Sequence, residues 1–239
     1  SEETTIRNIE GAKLTITGGI IENRTTQSIY NEGEVIIQGG TVRSSSIYVI
    51  YNNSGIVEVN RGTVSNSSSD SYVIYNTGSG MVDVTGGTIS NSGYSGYGIY
   101  NNTGTVEVAG GTVISDYMYG YGIYNENSGT IKIEGGTVSG GYIGIYNGSN
   151  GTVEVTRGTV SSKSDRTTNS NSYGIYNNST GNIIIGIKED GQISQEEPYI
   201  KGEYTGTSKL RYGYGIYNKK GCLYYYDGTI EGRTKGISG

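Results

Sequence analysis

The sequence predicts an all-β chain wound as a parallel β-helix, a solenoid of about nine coils with three short strands each. Three observations carry this. The tripeptide Ile-Tyr-Asn recurs along the chain, most copies are followed by a short apolar segment and then a Gly-Thr-Val or Gly-Thr-Ile step, and no segment shows a sustained helical period. Identical segments at a near-constant spacing stack on their own copies, whereas antiparallel hairpins need mirror-related neighbours. The composition agrees. The 239 residues include 42 Gly and 24 Tyr but only one Pro, and 33% are hydrophobic, so the apolar groups are expected to fill a narrow core.

Ile-Tyr-Asn occurs at Ile29-Tyr30-Asn31, Ile50-Tyr51-Asn52, Ile74-Tyr75-Asn76, Ile99-Tyr100-Asn101, Ile123-Tyr124-Asn125, Ile145-Tyr146-Asn147, Ile175-Tyr176-Asn177 and Ile216-Tyr217-Asn218. Successive Asn residues lie 21, 24, 25, 24, 22, 30 and 41 positions apart. Period-2 alternation places Ile inward, Tyr outward and Asn inward at a bend. There, stacked amides can satisfy one another from coil to coil. The same alternation, carried two residues back, puts Tyr48, Tyr72, Tyr97, Tyr121, Ile143, Tyr173 and Tyr214 inward, and sets Gly98, Gly122, Gly144, Gly174 and Gly215 outward beside the Tyr column.

The second strand reads Val57-Glu58-Val59, Val82-Asp83-Val84, Val106-Glu107-Val108, Ile131-Lys132-Ile133 and Val153-Glu154-Val155. Its centre is an outward column that is acidic in four of these coils, is interrupted by Lys132, and continues as Thr15, Ile36, Ile184 and Tyr224 elsewhere. The third strand is the Gly-Thr step at Gly40, Gly62, Gly87, Gly111, Gly136, Gly158 and Gly228.

One domain is expected over residues 1–239, continued by further chain or covered by a neighbour at its uncapped C-terminal end, where exposed sheet edges favour end-to-end self-association. Two longer intervals, 161–172 and 187–212, are expected as loop insertions. The second contains Gly191-Gln192-Ile193 and Pro198, with room for a strand or side flap.

Composition excludes several functions. A net charge of −5 gives no field for gathering nucleic acid. No stretch reaches the ~20 apolar residues that cross a bilayer as a helix. With one Cys, Cys222, and no His, there is no intramolecular disulfide and no Cys/His metal site, and no cofactor motif is present. The six Asp residues (70, 83, 116, 165, 190 and 227) do not fall beside one another at equivalent repeat positions. Glycoside hydrolysis needs two carboxyls roughly 5–9.5 Å apart. The acidic column could meet that spacing, but its members sit mid-strand on an open face. The outward Thr of each Gly-Thr step lacks the paired arrangement of an ice-binding face and reads as a good exposed strand residue. No catalytic and no metal-binding residue is assigned.

The candidate binding surface is the outward column Tyr30, Tyr51, Tyr75, Tyr100, Tyr124, Tyr146, Tyr176 and Tyr217. Tyr joins a rigid apolar face to a polar tip, which suits glycans and proteins. The competing reading is a ladder in which the rings stiffen the sheet by packing on one another.

Tyr-Gly-Ile-Tyr-Asn-Asn at 97–102, Gly-Thr-Val-Glu-Val at 104–108 and Tyr-Asp-Gly-Thr-Ile-Glu-Gly at 226–232 resemble repeat regions of surface-exposed or secreted proteins of Gram-positive, Firmicutes-type bacteria. The long, irregular coil resembles the right-handed, pectate-lyase-like β-helices. These resemblances imply an extracellular, adhesin-like or stalk region with a host glycan or extracellular protein as partner. The alternative is a polysaccharide lyase or glycoside hydrolase of the pectate-lyase-like class, which would need acidic and basic groups converging in a groove.

Overall fold

The computed structural model describes residues 3–164, 170–187, 198–206 and 211–234. These form a β-solenoid without helices, in which every strand pairing is parallel. Gly191-Gln192-Ile193, Asp165 and Asp190 lie outside the described residues.

The eight Ile-Tyr-Asn segments, preceded by Ile6-Arg7-Asn8 in which Arg7 pairs with Tyr30, stack into one nine-stranded sheet running from Ile6–Asn8 to Gly213–Asn218. Its register is strict: Ile pairs with Ile, Tyr with Tyr and Asn with Asn, as in Ile74↔Ile99, Tyr75↔Tyr100 and Asn76↔Asn101. The alternating segments and the Gly-Thr steps make two further columns. They are joined into one 16-stranded sheet where Thr130–Gly140 and Thr152–Ser164 run unbroken through both.

The core is a thin seam of Val and Ile. Val35, Val57, Val82, Val106, Ile131, Val153 and Ile183 succeed one another down one column with no exposure. Each inward residue is buried by its copies above and below, so repetition replaces bulk. The turn before each Gly-Thr strand uses a glycine. Gly40, Gly62, Gly87, Gly111, Gly136 and Gly158 have φ between 67° and 79°, the left-handed region that other residues enter at a cost. Stacking tightens this further, because a Cβ on Gly136 would lie 2.7 Å from Gly110 C and from Gly111 O.

The Asn column forms the expected amide ladder. Asn31, Asn52, Asn76, Asn101, Asn125, Asn147 and Asn177 have no exposure. Asn31 Nδ2 donates to Asn52 Oδ1 at 2.7 Å, Asn52 to Asn76 at 2.7 Å and Asn76 to Asn101 at 2.8 Å, and the chain of bonds continues from Asn8 to Asn218. The second Nδ2 hydrogen goes to a backbone oxygen of the same turn, as from Asn101 to Gly104 O at 2.8 Å.

One expectation is overturned. Tyr48, Tyr72, Tyr97, Tyr121 and Tyr214 do not point inward but lie half-buried on the outer face, and Tyr173, though buried, stacks with them. Gly98, Gly122, Gly144, Gly174 and Gly215 are the inward residues, equivalent to Val49 and Val73, which have no exposure. The chain bends ahead of each Ile, so two successive residues face the core. A straight strand cannot do this, and period-2 counting fails across the bend. A Cβ at Gly98 would come within 2.9 Å of Val113 Cγ1 and 2.6 Å of Gly122 O, which explains glycine there.

The two longer intervals are partly regular strand. Ser161–Ser164 continues the strand from Thr152, and Tyr199–Tyr204 takes the place of a Gly-Thr step, pairing Thr159↔Tyr199 on one side and Tyr199↔Thr229 on the other.

Candidate functional site

The eight tyrosines of the candidate surface are brought into one column. Successive rings stack nearly parallel, with centroids 5.5 Å apart for Tyr30 and Tyr51, 5.2 Å for Tyr51 and Tyr75, 5.0 Å for Tyr75 and Tyr100, 5.2 Å for Tyr100 and Tyr124, and 4.5 Å for Tyr124 and Tyr146. The column continues to Tyr176 at 5.5 Å and Tyr217 at 5.2 Å.

A second ladder, missed by the alternation rule, runs beside it through Tyr48, Tyr72, Tyr97 and Tyr121 at 4.8–5.4 Å. The two ladders meet edge to face, for example Tyr72 against Tyr100 at 5.1 Å and 82°, and Tyr97 against Tyr124 at 5.5 Å and 89°. Where Ile143 interrupts the second ladder, Tyr142 fills in by edge contacts to Tyr121 and Tyr173 at 5.7 and 5.9 Å. Offset-stacked and edge-to-face pairs are the favourable geometries for aromatic quadrupoles, each contributing roughly 0.5–1.5 kcal/mol beyond burial.

This packing consumes the ring faces. A sugar stacks on an open face, yet Tyr51 has Tyr30 on one side and Tyr75 on the other. What remains toward solvent is an array of ring edges and hydroxyls. The exception is Tyr217 at the end of the column, 38% exposed. The Tyr100 hydroxyl donates to the Glu126 carboxylate. Burial, then that carboxylate, hold the Tyr100 phenol far above its ordinary range, and burial followed by neighbouring rings does the same to Tyr121 and Tyr124.

The acidic column is confirmed in register, Glu58↔Asp83↔Glu107↔Lys132↔Glu154. Lys132 Nζ lies 2.7 Å from Glu107 Oε1. Burial, then Glu107, Glu58 and Glu134, push the Asp83 carboxyl above its usual range. Among the described residues no group of three or more potential metal ligands converges, and no helix is long and apolar enough to cross a membrane.

A groove of about 590 Å³ lies on the outer face of the third-strand column. Its floor is Thr137, Ser139, Thr159 and Ser161, and its walls carry Asp116 on one side and Tyr199, Lys201 and Glu203 on the other. Ser139 Oγ lies 3.5 Å from Asp116 Oδ1, and Lys201 Nζ lies 3.2 Å from Glu203 Oε2. Burial raises the Asp116 carboxyl, with Ser139 opposing. Sequence reasoning missed this groove because Tyr199-Ile200 lacks the Gly-Thr mark by which the column is recognised.

Comparison with protein-family models, with curated proteins and with solved structures returns no match.

Proposed function

We propose that the chain is a non-catalytic, extracellular surface module, a stalk or adhesin-like segment whose work is to extend and display. In this reading it is a right-handed helix of nine coils belonging to a bacterial surface protein. The observation that carries it is the double tyrosine ladder running beside an unbroken amide ladder along one sheet. Nine strands at ~4.8 Å spacing make a brace on the order of 38 Å long, its ring faces spent on one another. Such a surface favours stiffness over ligand capture. Contact with a host glycan or extracellular protein would then fall to hydroxyl edges and the ends of the column.

The groove at Asp116, Tyr199, Lys201 and Glu203 favours a second reading, a polysaccharide lyase or glycoside hydrolase, because acid, base and an aromatic ring meet there. One paired experiment separates them. Antibody against the chain is applied to intact and lysed cells of the source organism, and purified chain is incubated with acidic and neutral polysaccharides while new chain ends are assayed. Surface staining without turnover is expected. Staining only after lysis, or saturable turnover abolished by Asp116→Asn, would overturn the proposal.

A further inference from the structure

Tyr124 and Tyr146 are the closest pair in the tyrosine column, and we propose that they are a modification site, where a one-electron oxidant joins them as an intrachain dityrosine that staples two neighbouring coils. Their strands pair in register, Tyr124↔Tyr146. Their ring centroids are 4.5 Å apart at 10°, against 5.0–5.5 Å for the other successive pairs of the column. The Tyr124 hydroxyl lies within hydrogen-bonding reach of Tyr146, so the hydroxyl-bearing ends meet as well as the ring centres. In a phenoxyl radical the reactive ortho carbons flank that oxygen, and in a parallel stack they face their counterparts on the next ring.

Packing leaves this pair the freedom to close. Tyr75, Tyr100 and Tyr124 are each held by two rings of the second ladder, with centroids 5.1–5.7 Å away. Among the described residues Tyr146 has one such neighbour, Tyr121 at 6.3 Å. The next place in that ladder is taken by Ile143, which pairs with Tyr121 and is buried. Tyr146 can therefore tilt onto Tyr124 without breaking a close edge contact. Both rings are half-buried, which leaves their hydroxyl edges within reach of an oxidant in solution.

The chemistry balances with hydrogen peroxide as oxidant and a haem peroxidase as its activator. Each phenol gives up one electron and its hydroxyl proton, leaving two neighbouring phenoxyl radicals. These form a carbon–carbon bond between ortho positions, and the displaced ortho hydrogens pass to the oxygens and restore both phenols. The electrons and protons released break the peroxide O–O bond and yield two waters. The new bond closes a loop of one coil, which limits the unfolded chain and stabilises the folded one as a disulfide would.

The test treats dilute purified chain with hydrogen peroxide and a haem peroxidase, then isolates the monomer band from a denaturing gel for digestion and mass spectrometry. The expected product is a pair of peptides linked through Tyr124 and Tyr146, with dityrosine fluorescence in the monomer band. Tyr146→Phe keeps the stacked ring but removes the phenol, and should lose most of that fluorescence. Tyr94→Phe, at a tyrosine 44% exposed and outside both ladders, should keep it. The linked native chain should unfold at a higher urea concentration than the untreated chain. Dityrosine found only between chains, intrachain links mapped to other pairs, fluorescence undiminished in Tyr146→Phe, a linked chain no harder to unfold, or no link in a chain with an intact sheet by circular dichroism would overturn the proposal.

Discussion

Removing a single rung of the amide ladder should cost far more than its size implies. Asn101 accepts from Asn76 Nδ2 at 2.8 Å and donates to Gly104 O at 2.8 Å and to Asn125 Oδ1 at 2.9 Å. Asn101→Ala deletes all three bonds, each contributing about 1 kcal/mol net. It also strips the buried Asn125 Oδ1 of its donor, a further loss of about 1–3 kcal/mol. The total is about 4–6 kcal/mol, large against the 5–15 kcal/mol typical of a folded domain. The neighbouring Asn102 lies nearer the surface, where it accepts from Asn127, and Asn102→Ala should stay within about 0.5 kcal/mol of the parent. Urea unfolding followed by far-ultraviolet circular dichroism compares the two, with the slope checked for loss of two-state behaviour. If Asn101→Ala and Asn102→Ala unfold at the same midpoint, the ladder does not hold the coils and the reasoning fails.

Gly136→Ala should destabilise by at least ~2 kcal/mol, since φ is 67° and its Cβ would press on the turn below, whereas Gly18→Ala, with nothing within 4 Å, should be nearly neutral; thermal melts of both check this. The ladder phenols are held above the ordinary Tyr value of about 10, so the folded chain keeps protons that the unfolded chain releases. That stability is complete below about pH 10 and is lost as pH rises further. Phenolate absorbance should therefore appear together with alkaline loss of the β-sheet dichroism, and ordinary titration of the ladder with the sheet intact would contradict it. Asp83 also has a raised carboxyl, here destabilising above that value and relieved as pH falls through it. Asp83→Asn should thus raise the melting temperature at neutral pH and lose its advantage in acid.

The amide ladder was legible because Ile-Tyr-Asn repeats intact in eight coils and a buried Asn has few ways to be satisfied. The second tyrosine ladder was not, although Tyr48, Tyr72 and Tyr97 recur as regularly, because facing was counted by alternation and the chain bends between Tyr48 and Ile50. Val49 and Val73 were the available signal, since two adjacent apolar residues ahead of Tyr imply two inward positions. A polar corner two residues after the Val or Ile of several Gly-Thr steps, at Ser44, Asn66, Asn91, Ser115 and Ser162, went unread. Asn66 and Asn91 are 3% exposed there, their amides bonded to Ser46 O and Ser71 O at 2.8 and 2.9 Å. The groove depends on side chains from coils far apart in sequence, Asp116 and Lys201 among them, and no local pattern announces it.

The claim at the centre is that the tyrosine column braces the rod rather than capturing a ligand. Changing Tyr100, Tyr124 and Tyr146 together to Ser, then measuring the melting temperature alongside retention on glycan and extracellular-protein arrays, tests it most directly. The stacked geometry predicts a marked fall in melting temperature, with no specific ligand lost beyond the fraction unfolded. An unchanged melting temperature together with abolished retention of a ligand that the parent holds would contradict it.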